Sequence, residues 1–274
     1  MALFNQPDLD TLSQRMREVA RDELMPRFGQ LPASEKADGS LVTAADLAVQ
    51  QRLVNILATD WPDIPLLGEE MSAAEQQRLL NDQDAALWCL DPIDGTSNFA
   101  CGFPGFCISL ALLRAGQVEL GLVLDPVRDE CFSALRGQGA TLNGAAIKPY
   151  SPGPRLSDCL AMIDFKRLPK ARIAGLFGAD SFRSQRNLGA VALEWCWLGA
   201  GRFQLYLHGG QGLWDHAAGR LIATEAGAAT QLYAPGSSQP EATLTLAKRI
   251  ALGAANPHLL RQWQTRVGLP LDNP

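Results

Sequence analysis

The sequence lacks the features that mark several specialised classes of protein. Its 24 Lys and Arg and 29 Asp and Glu give a net charge of −5, and no block of like charge points to a nucleic-acid polymer or an anionic membrane as a partner. The longest apolar runs are interrupted by charge or glycine before they could span a bilayer. Residues 1–5 have neither the basic start nor the apolar core of a signal peptide. We therefore expect a soluble, cytoplasmic protein.

Paired cysteine motifs are also missing. No two of the six cysteines have Cys-x-x-Cys spacing, and most stand among apolar neighbours. This scatter predicts reduced cysteines that pack in the interior. The open alternative is a nucleophilic cysteine, although no His lies close to one in the sequence. The six residues are Cys89, Cys101, Cys107, Cys131, Cys159 and Cys196.

The segment 91–96, Asp-Pro-Ile-Asp-Gly-Thr, carries the functional hypothesis. It follows the apolar run 86–90, which predicts a buried strand that delivers polar residues at its end. Pro92 lacks an N–H group and takes the backbone out of the strand ladder, so Asp91 and Asp94 can converge on one point. Carboxylate and carbonyl oxygens suit Mg²⁺ or a similar hard cation. The alternative is an ordinary strand-to-turn junction in which Asp and Gly serve the turn alone.

The two residues after these acids predict a place for an anion. Gly95 allows the backbone to approach a ligand closely. A helix that begins at Thr96 would present free backbone N–H groups to that ligand. A cation site beside an anion seat suggests that the ligand is a phosphate group.

Acids at three other places each have both a functional and an ordinary interpretation. The apolar run 64–67 ends at Gly68, followed by Glu69 and Glu70, which would also suit the start of a helix over 72–80. Asp46 closes the sequence Thr-Ala-Ala-Asp, a pattern typical of a capping box that opens a helix. Asp215 follows Trp214 and would serve as the N-cap of a helix through 222.

The order of predicted elements indicates two parts. Residues 1–149 read as helices plus an antiparallel meander, and residues 150–274 read as an α/β unit that begins at the Pro- and Gly-containing segment 150–154. Segment 30–40 reads as a loop or a pair of short edge strands. The helices are expected near 9–28, 44–60, 72–80, 173–177, 190–198, 215–226 and 259–267, and the strands near 64–67, 86–90, 106–113, 118–125, 130–135, 160–165, 203–207, 244–247 and 250–252.

Three segments together resemble the inositol monophosphatase family of lithium-sensitive, metal-dependent sugar phosphatases. They are Gly-Glu-Glu at 68–70, Asp-Pro-Ile-Asp-Gly-Thr-Ser-Asn-Phe at 91–99 and Trp-Asp-His-Ala-Ala-Gly at 214–219, and the similarity extends through 41–46 and 186–227. The resemblance implies a layered αβαβα sandwich of two stacked α+β and α/β domains, the sugar-phosphatase fold. It also implies a homodimer, a small phosphorylated metabolite as partner, two or three Mg²⁺ ions per site and inhibition by lithium.

The resemblance further implies roles for individual residues. The metal ligands would be Glu69, Asp91, Asp94, Asp215 and the carbonyl oxygen of Ile93. Gly95 and Thr96 would hold the phosphate through their backbone N–H groups, while Thr96 and Asp46 would orient the attacking water. Glu70 would act behind the ligands or on a bound water. The residues implied to contact substrate are Asp94, Gly95, Thr96, Lys166, His208 and Asp215.

Two positions depart from the family pattern. His208 stands seven residues before Asp215, where the family often has an acid that touches inositol hydroxyls, so inositol phosphate itself is in doubt as substrate. His208 is either a neutral hydroxyl contact or a loop residue. Gly227-Ala228 replaces the usual Gly-Gly and affects a turn. Lys166 and Arg167 either meet a phosphate or another acidic group, or they are solvated surface charges.

The leading hypothesis is Mg²⁺-dependent hydrolysis of a small phosphomonoester, such as an inositol-like, sugar, polyol or nucleotide phosphate, by an activated water. One alternative is a catalytically inactive regulatory or scaffold protein that binds metal on the same fold. Another is a phosphatase of the haloacid-dehalogenase type, which forms an aspartyl phosphate. That chemistry needs two Asp residues spaced by two at the first strand, whereas Asp91 and Asp94 are spaced by three and come later.

Overall fold

The computed structural model describes residues 4–30, 34–35, 41–81 and 85–271. Its helices account for the predicted helical segments, with small shifts at the ends. The first begins as an α-helix and continues as a π-helical turn, Ala20–Leu24, and a 3₁₀ turn, Met25–Arg27. The α-helices are α1 (Gln6–Val19), α2 (Ala44–Asp60), α3 (Ala73–Leu80), α4 (Thr96–Cys101), α5 (Lys170–Leu176), α6 (Val191–Gly199), α7 (Leu213–Glu225) and α8 (Pro257–Val267).

The strands form a seven-stranded sheet, a five-stranded sheet and a two-stranded pair in the part of the chain that is described. The large sheet has the order β3-β4-β5-β6-β7-β8-β9, and the smaller one has the order β11-β10-β12-β14-β13. The strands are β1 (Ser34–Glu35), β2 (Leu41–Val42), β3 (Leu66–Gly68), β4 (Leu87–Asp94), β5 (Cys107–Arg114), β6 (Gln117–Asp125), β7 (Glu130–Leu135), β8 (Ala140–Leu142), β9 (Ala145–Ala146), β10 (Leu160–Asp164), β11 (Ser184–Arg186), β12 (Leu205–Gln211), β13 (Ala229–Tyr233) and β14 (Arg249–Ala254).

The predicted antiparallel meander is confirmed from β4 to β9. Strands β5 and β6 are joined by Ala115 and Gly116, which both have positive φ, as a two-residue hairpin turn requires. Strand β3 instead lies parallel to β4 at the edge of the sheet. Strand β1, in segment 30–40, pairs with β2, which follows that segment, as a separate two-stranded sheet, while residues 31–33 and 36–40 lie outside the described residues.

The structure differs from the sequence prediction in four details. The run 244–247 forms no strand, and β11 and β13 were not predicted. Asp215 is the third residue of α7 and not its N-cap, which is Gly212. Strand β4 continues through Pro92 to Asp94, although its pairing with β5 loses register between Asp91 and Asp94.

The helices and sheets stack in five layers. Helices α1 and α2 pack on one face of the large sheet, where Leu12 and Leu53 join Trp88 and Leu110 in one apolar cluster. The opposite face packs on α6 and α7, in a cluster that includes Cys89, Ala192 and Ala218, among others.

The same two central helices also cover the smaller sheet. Trp195 of α6 packs with Tyr206 of β12 and Ala251 of β14, and α8 covers the far face through Trp263. This order confirms the predicted layered αβαβα fold. The division into parts 1–149 and 150–274 stays a prediction, and α6 and α7 share a core with the first part. No helix in the described ranges has the length and apolar character needed to cross a membrane.

Candidate active site

A cavity of about 430 Å³ lies where strand ends of the two sheets face each other. The ends of β3 and β4 and the start of α7 supply four of its acids, Glu69, Asp91, Asp94 and Asp215. Strands β10 and β12 and the residue before β14 supply other lining residues, which we call the opposite wall. The lining residues are Glu69, Asp91, Ile93, Asp94, Gly95, Thr96, Ser97, Asn98, Asp164, Lys166, Arg167, Asn187, Gly189, Val191, Glu194, His208, Asp215 and Lys248.

The end of β4 brings two aspartates into this cavity because its ladder is interrupted at Pro92. Asp91 pairs with Ser109 of β5, and the next paired residue is Asp94, opposite Cys107. Asp91 Oδ1 accepts a hydrogen bond from Ile93 N at 3.0 Å, which folds the backbone around the proline. Both acids are therefore presented to the same cavity, as the sequence predicted.

Asp94 connects β4 to the central helices. Its Oδ2 accepts a hydrogen bond from the backbone N–H of Ala192 in α6 at 2.5 Å, and its side chain is almost fully buried. The Cys107 thiol lies 3.7 Å from the same oxygen. The hydrogen bond from Ala192 joins residues that are 98 positions apart in the sequence, and it fixes the position of the Asp94 carboxylate.

Gly95 and Thr96 follow at the turn into α4, which begins at Thr96 as predicted. Gly95 has φ +92, and a Cβ there would lie 2.8 Å from the carbonyl oxygen of Gly105, so a side chain would be both strained and crowded. Thr96 Oγ1 donates to the carbonyl oxygen of Ile93 at 2.9 Å and also approaches Asp46 Oδ1 at 3.3 Å.

Asp46 caps α2, as its sequence position predicts, and it also contacts Thr96. Its Oδ2 accepts from Thr43 N and from Thr43 Oγ1, each at 2.7 Å, which confirms the predicted capping box at α2. Its Oδ1 faces Thr96. Burial raises the pKa of Asp46, the hydrogen bonds from Thr43 oppose this shift, and the charge of Glu69 adds to it. Asp46 does not line the cavity, and it supports Thr96 from behind.

The acids of the cavity repel one another strongly. Burial and then the negative charges of Glu69, Asp94 and Asp215 raise the pKa of Asp91 well above its usual value. Burial and then the charge of Asp215 do the same for the pKa of Asp94. These carboxylates therefore lie close enough in a low-dielectric setting to disfavour a common negative charge.

Glu69 and Asp215 enter from other elements. Glu69 follows β3, and its backbone N–H donates to the carbonyl oxygen of Leu90 at 3.1 Å. Asp215 Oδ2 accepts from Gly212 N at 2.7 Å at the start of α7. Glu70 does not line the cavity, and its backbone N–H approaches Gln50 Oε1.

The acids line one cavity without forming a compact cage. Within residues 4–30, 34–35, 41–81 and 85–271, no group of three or more His, Cys, Asp or Glu side chains is gathered closely enough to hold a metal ion as the side chains stand. Asp91, Asp94 and Asp215 each have a carboxylate oxygen directed at a backbone N–H group. These acids therefore lie along one wall of the cavity and do not surround a single point.

The opposite wall has a different charge. Asp164, at the end of β10, accepts from Lys166 N at 2.8 Å, from the Arg167 guanidinium and from His208 Nε2, which lies 3.2 Å away. Burial alone would raise the pKa of Asp164, but the hydrogen bond from His208, and then the hydrogen bond and charge of Arg167, hold it well below its usual range. His208 Nδ1 accepts from Gly210 N at 3.2 Å. Because protein groups already occupy both ring nitrogens, this geometry disfavours the predicted contact of His208 with a substrate hydroxyl, which stays untested.

Sequence reasoning missed several lining residues, among them Asp164, Asn187, Glu194 and Lys248. Asp164 ends an apolar strand, the same signal that singled out Asp91. Glu194 is a lone acid in the apolar helix α6, and its Oε1 accepts from Leu188 N and Gly189 N at 3.0 Å each. Burial raises the pKa of Glu194, while hydrogen bonds from the backbone of Gly189 and Leu188 and from the Tyr206 hydroxyl oppose the shift. No pattern in the sequence around Asn187 or Lys248 marks these two as site residues.

The five-layer fold and the acid-lined cavity define a layered α+β protein of the phosphatase type. A family model described as the inositol monophosphatase family matches residues 8–267. Inositol monophosphatase 1 of Solanum lycopersicum is 37% identical over 232 residues, which cover 82% of this chain and 81% of the relative. The Nus factor SuhB of Pasteurella multocida is 34% identical over 205 residues, which cover 73% of this chain and 75% of the relative.

Solved structures agree with the sequence relatives. The IMPase of Thermotoga maritima has a TM-score of 0.79 and 29% identity to this chain, with 96% of this chain and 97% of that one covered. The chain belongs to the inositol monophosphatase family. This membership confirms the predicted family and the predicted enzyme class, a phosphoric monoester hydrolase.

Proposed function

We propose that the protein hydrolyses a small phosphomonoester with the help of Mg²⁺. The observation that carries this proposal is the convergence of Glu69, Asp91, Asp94 and Asp215 on one cavity, where their negative charges oppose one another. Such a cluster is stabilised when a cation or a proton neutralises part of its charge. The inositol monophosphatase of Solanum lycopersicum and the IMPase of Thermotoga maritima support the same reaction class.

The residues present fit a hard divalent cation. All their donor atoms are carboxylate or carbonyl oxygens, which Mg²⁺ prefers to sulfur or imidazole. Glu69, Asp91, Asp94, Asp215 and the Ile93 carbonyl would hold it. When bound, Mg²⁺ would supply the positive charge that activates water and stabilises the oxygen leaving phosphorus. The number of ions stays a prediction.

Thr96 and Asp46 would orient the attacking water. The hydroxyl proton of Thr96 is directed toward the Ile93 carbonyl and the Asp46 carboxylate, so the lone pairs of Thr96 Oγ1 can accept a hydrogen bond from water. Asp46 is itself fixed by Thr43, and therefore the water's acceptor is held in place before substrate arrives. Gly95 and Thr96 would contribute backbone N–H groups to the phosphate.

A test of this function is a phosphate-release screen with purified protein. The panel contains inositol, fructose bisphosphate, histidinol and adenosine phosphates, each with Mg²⁺ and with a chelator. We expect hydrolysis of at least one ester with Mg²⁺ and loss of it on chelation. No release from any ester would count against the proposal.

The Asp94→Asn variant tests the acid cluster directly. Asn has the size of Asp and can still accept the Ala192 N–H, but it removes the negative charge, so we expect turnover to be lost while the fold is retained. Phosphate release and circular dichroism measure the two effects. The matched control is Asp180→Asn, which changes an exposed Asp outside the cavity. Near-normal turnover in Asp94→Asn would contradict the assignment.

One observation favours a second candidate function. A relative at 34% identity is named Nus factor SuhB, which supports a regulatory role on the same fold. Absence of turnover in the screen would favour this role. The haloacid-dehalogenase alternative loses its basis, because the family match covers residues 8–267. The homodimer, lithium inhibition and cytoplasmic location stay predictions.

A further inference from the structure

The cavity has a positively charged side that the proposed hydrolysis does not use. Lys166, Arg167 and Lys248 line it from the smaller sheet, and we call these three residues the cationic edge. Lys166 and Arg167 follow β10, and Lys248 precedes β14, which is a neighbour of β12. The cationic edge therefore flanks strands of the smaller sheet, whereas the acids of the same cavity come from the ends of β3 and β4 and from α7.

Asp164 and His208 organise this edge from beneath. The buried Asp164 carboxylate accepts from the backbone N–H of Lys166 and from the Arg167 guanidinium. His208 holds the same carboxylate through Nε2, while Gly210 N donates to its Nδ1. The loop after β10 is therefore tied to β12 by a buried network, which holds the backbone of Lys166 and the guanidinium of Arg167 beside the cavity.

The charge of the edge is not balanced within the described part of the chain. Lys166, Arg167 and Lys248 carry three positive charges. Among the described residues, Asp164 is the one carboxylate that forms an ion pair with this edge, and its partner is Arg167. Lys166 and Lys248 have no carboxylate partner among the described residues. The stem of Lys248 passes over Gly210, where an added Cβ would lie 3.8 Å from its Cδ. Two ammonium groups are thus available at the mouth of a cavity whose other end is acidic.

We infer that the cationic edge binds a second anionic group of the substrate. The substrate class is therefore a small phosphomonoester that also carries a carboxylate or a second phosphate. This inference rests on the proposed phosphatase function and extends it. A cavity of about 430 Å³ has the size of a small-molecule site rather than that of a lone phosphate. Binding of the second anion would orient the ester, with its scissile phosphate toward the acid cluster.

Two matched pairs of esters test the inference at equal free Mg²⁺. Glycerol 2-phosphate and 2-phosphoglycerate differ by a carboxylate, while fructose 1-phosphate and fructose 1,6-bisphosphate differ by a phosphate. We expect kcat/KM to be at least about tenfold higher for the doubly anionic member of one pair, since each tenfold corresponds to an ordinary charge-assisted contact. The pair that responds identifies carboxylate or phosphate as the second group.

Substitutions of single lysines test whether the cationic edge causes the preference for doubly anionic esters. Lys166→Gln and Lys248→Gln keep a long polar side chain and remove the charge. Each should lower the ratio of kcat/KM between the two members of the responding pair by about fivefold or more, mainly through KM. Lys148→Gln, an exposed lysine outside the cavity, is the matched control and should leave the ratio unchanged.

The outcomes separate the two proposals. If the singly anionic esters are hydrolysed and neither partner ester is preferred, the inference fails while the phosphatase function stands. A preference that persists in both lysine variants also overturns the inference. If no ester of either pair is hydrolysed, the inference fails, while the phosphate-release screen still decides the phosphatase function. A preference that falls in the variants and persists in the control supports the inference.

Discussion

Asp94 and Asp164 are both buried aspartates at strand ends, but their neighbours give them opposite behaviour. Asp94 faces other carboxylates, so burial and Asp215 raise its pKa. Asp164 faces His208 and Arg167, which outweigh burial and lower its pKa. Burial acts in the same direction on both acids, so the sign of the neighbouring charge decides whether the pKa is raised or lowered.

The low pKa of Asp164 predicts a pH-dependent contribution to stability. A carboxyl whose pKa is lower in the folded state stabilises the fold above its ordinary pKa of about 4 and loses this contribution as the pH falls below it. Asp164→Asn should therefore lower the free energy of unfolding by about 1–3 kcal/mol at pH 7, a range reduced because Arg167 is partly exposed. Urea denaturation of both proteins measures it.

The difference between wild type and Asp164→Asn should shrink when the same measurement is made at pH 3. Asp158→Asn, which breaks a surface pair with Arg155, is the control and should have a smaller effect at pH 7. A difference that is equal at pH 7 and pH 3 would contradict the ion-pair explanation.

Individual site residues could be predicted where a local pattern marked them. Asp91, Asp94 and Glu69 end apolar strands, and the structure places all three at the cavity. Lys248 could not be found in this way, because its position depends on β14 lying beside β12. When the order of strands in a sheet brings a residue to a site, the residues next to it in the sequence show no pattern that marks it.

Elements were predictable when their apolar pattern matched their packing. Strand β13 was missed because three of its five residues are only partly buried, and β11 was missed because it is a short polar edge strand. The run 244–247 was wrongly predicted as a strand. Leu244 packs into the cluster between the large sheet and the central helices, which accounts for an apolar residue at this position. The run cannot pair with β14, because both sides of β14 are already paired, with β12 and β13.

Two adjacent glycines near the end of β12, Gly209 and Gly210, should respond differently to substitution by alanine. A Cβ at Gly209 would overlap the carbonyl oxygen of Arg167, whereas a Cβ at Gly210 would make an ordinary contact with Lys248. Gly209→Ala should therefore destabilise the protein by about 1–3 kcal/mol, as overpacking does, and Gly210→Ala should have little effect. Thermal unfolding compares the two variants. Equal melting temperatures would show that the loop after β10 moves freely.

At the scale of the whole molecule, the spacing between layers depends on close backbone contact. Gly121 of β6 lies against α7, and a Cβ there would be 2.7 Å from the carbonyl oxygen of Ala218. Backbone atoms cannot yield as a side chain can, so Gly121→Ala should displace the central helices. We expect a loss of about 1–3 kcal/mol in the free energy of unfolding.

The matched control is Gly175→Ala in α5. No atom lies within 4 Å of a Cβ added there, so this change should raise stability by up to about 1 kcal/mol through helix propensity. Calorimetric melting of both variants gives the comparison. Shifts of the same sign would contradict the role of Gly121 in layer spacing.

The layered arrangement was predictable as a whole because the resemblance supplied it, while the strand order of the smaller sheet was not. Patterns in the sequence identified β10, β12 and β14 as separate apolar runs. They did not indicate that β12 lies between β10 and β14, parallel to one and antiparallel to the other. Long-range pairing of this kind leaves no local periodicity to detect.

The separation of acids and cations onto different sheets has a consequence for divergence. On the proposed function, Glu69, Asp91, Asp94 and Asp215 can retain the ability to cleave an ester while positions 164–167 and 248 are exchanged. New preferences can therefore arise by a few mutations that leave the reactive end untouched. For protein engineers, transplanting those few positions between homologues offers a compact route to altered selectivity.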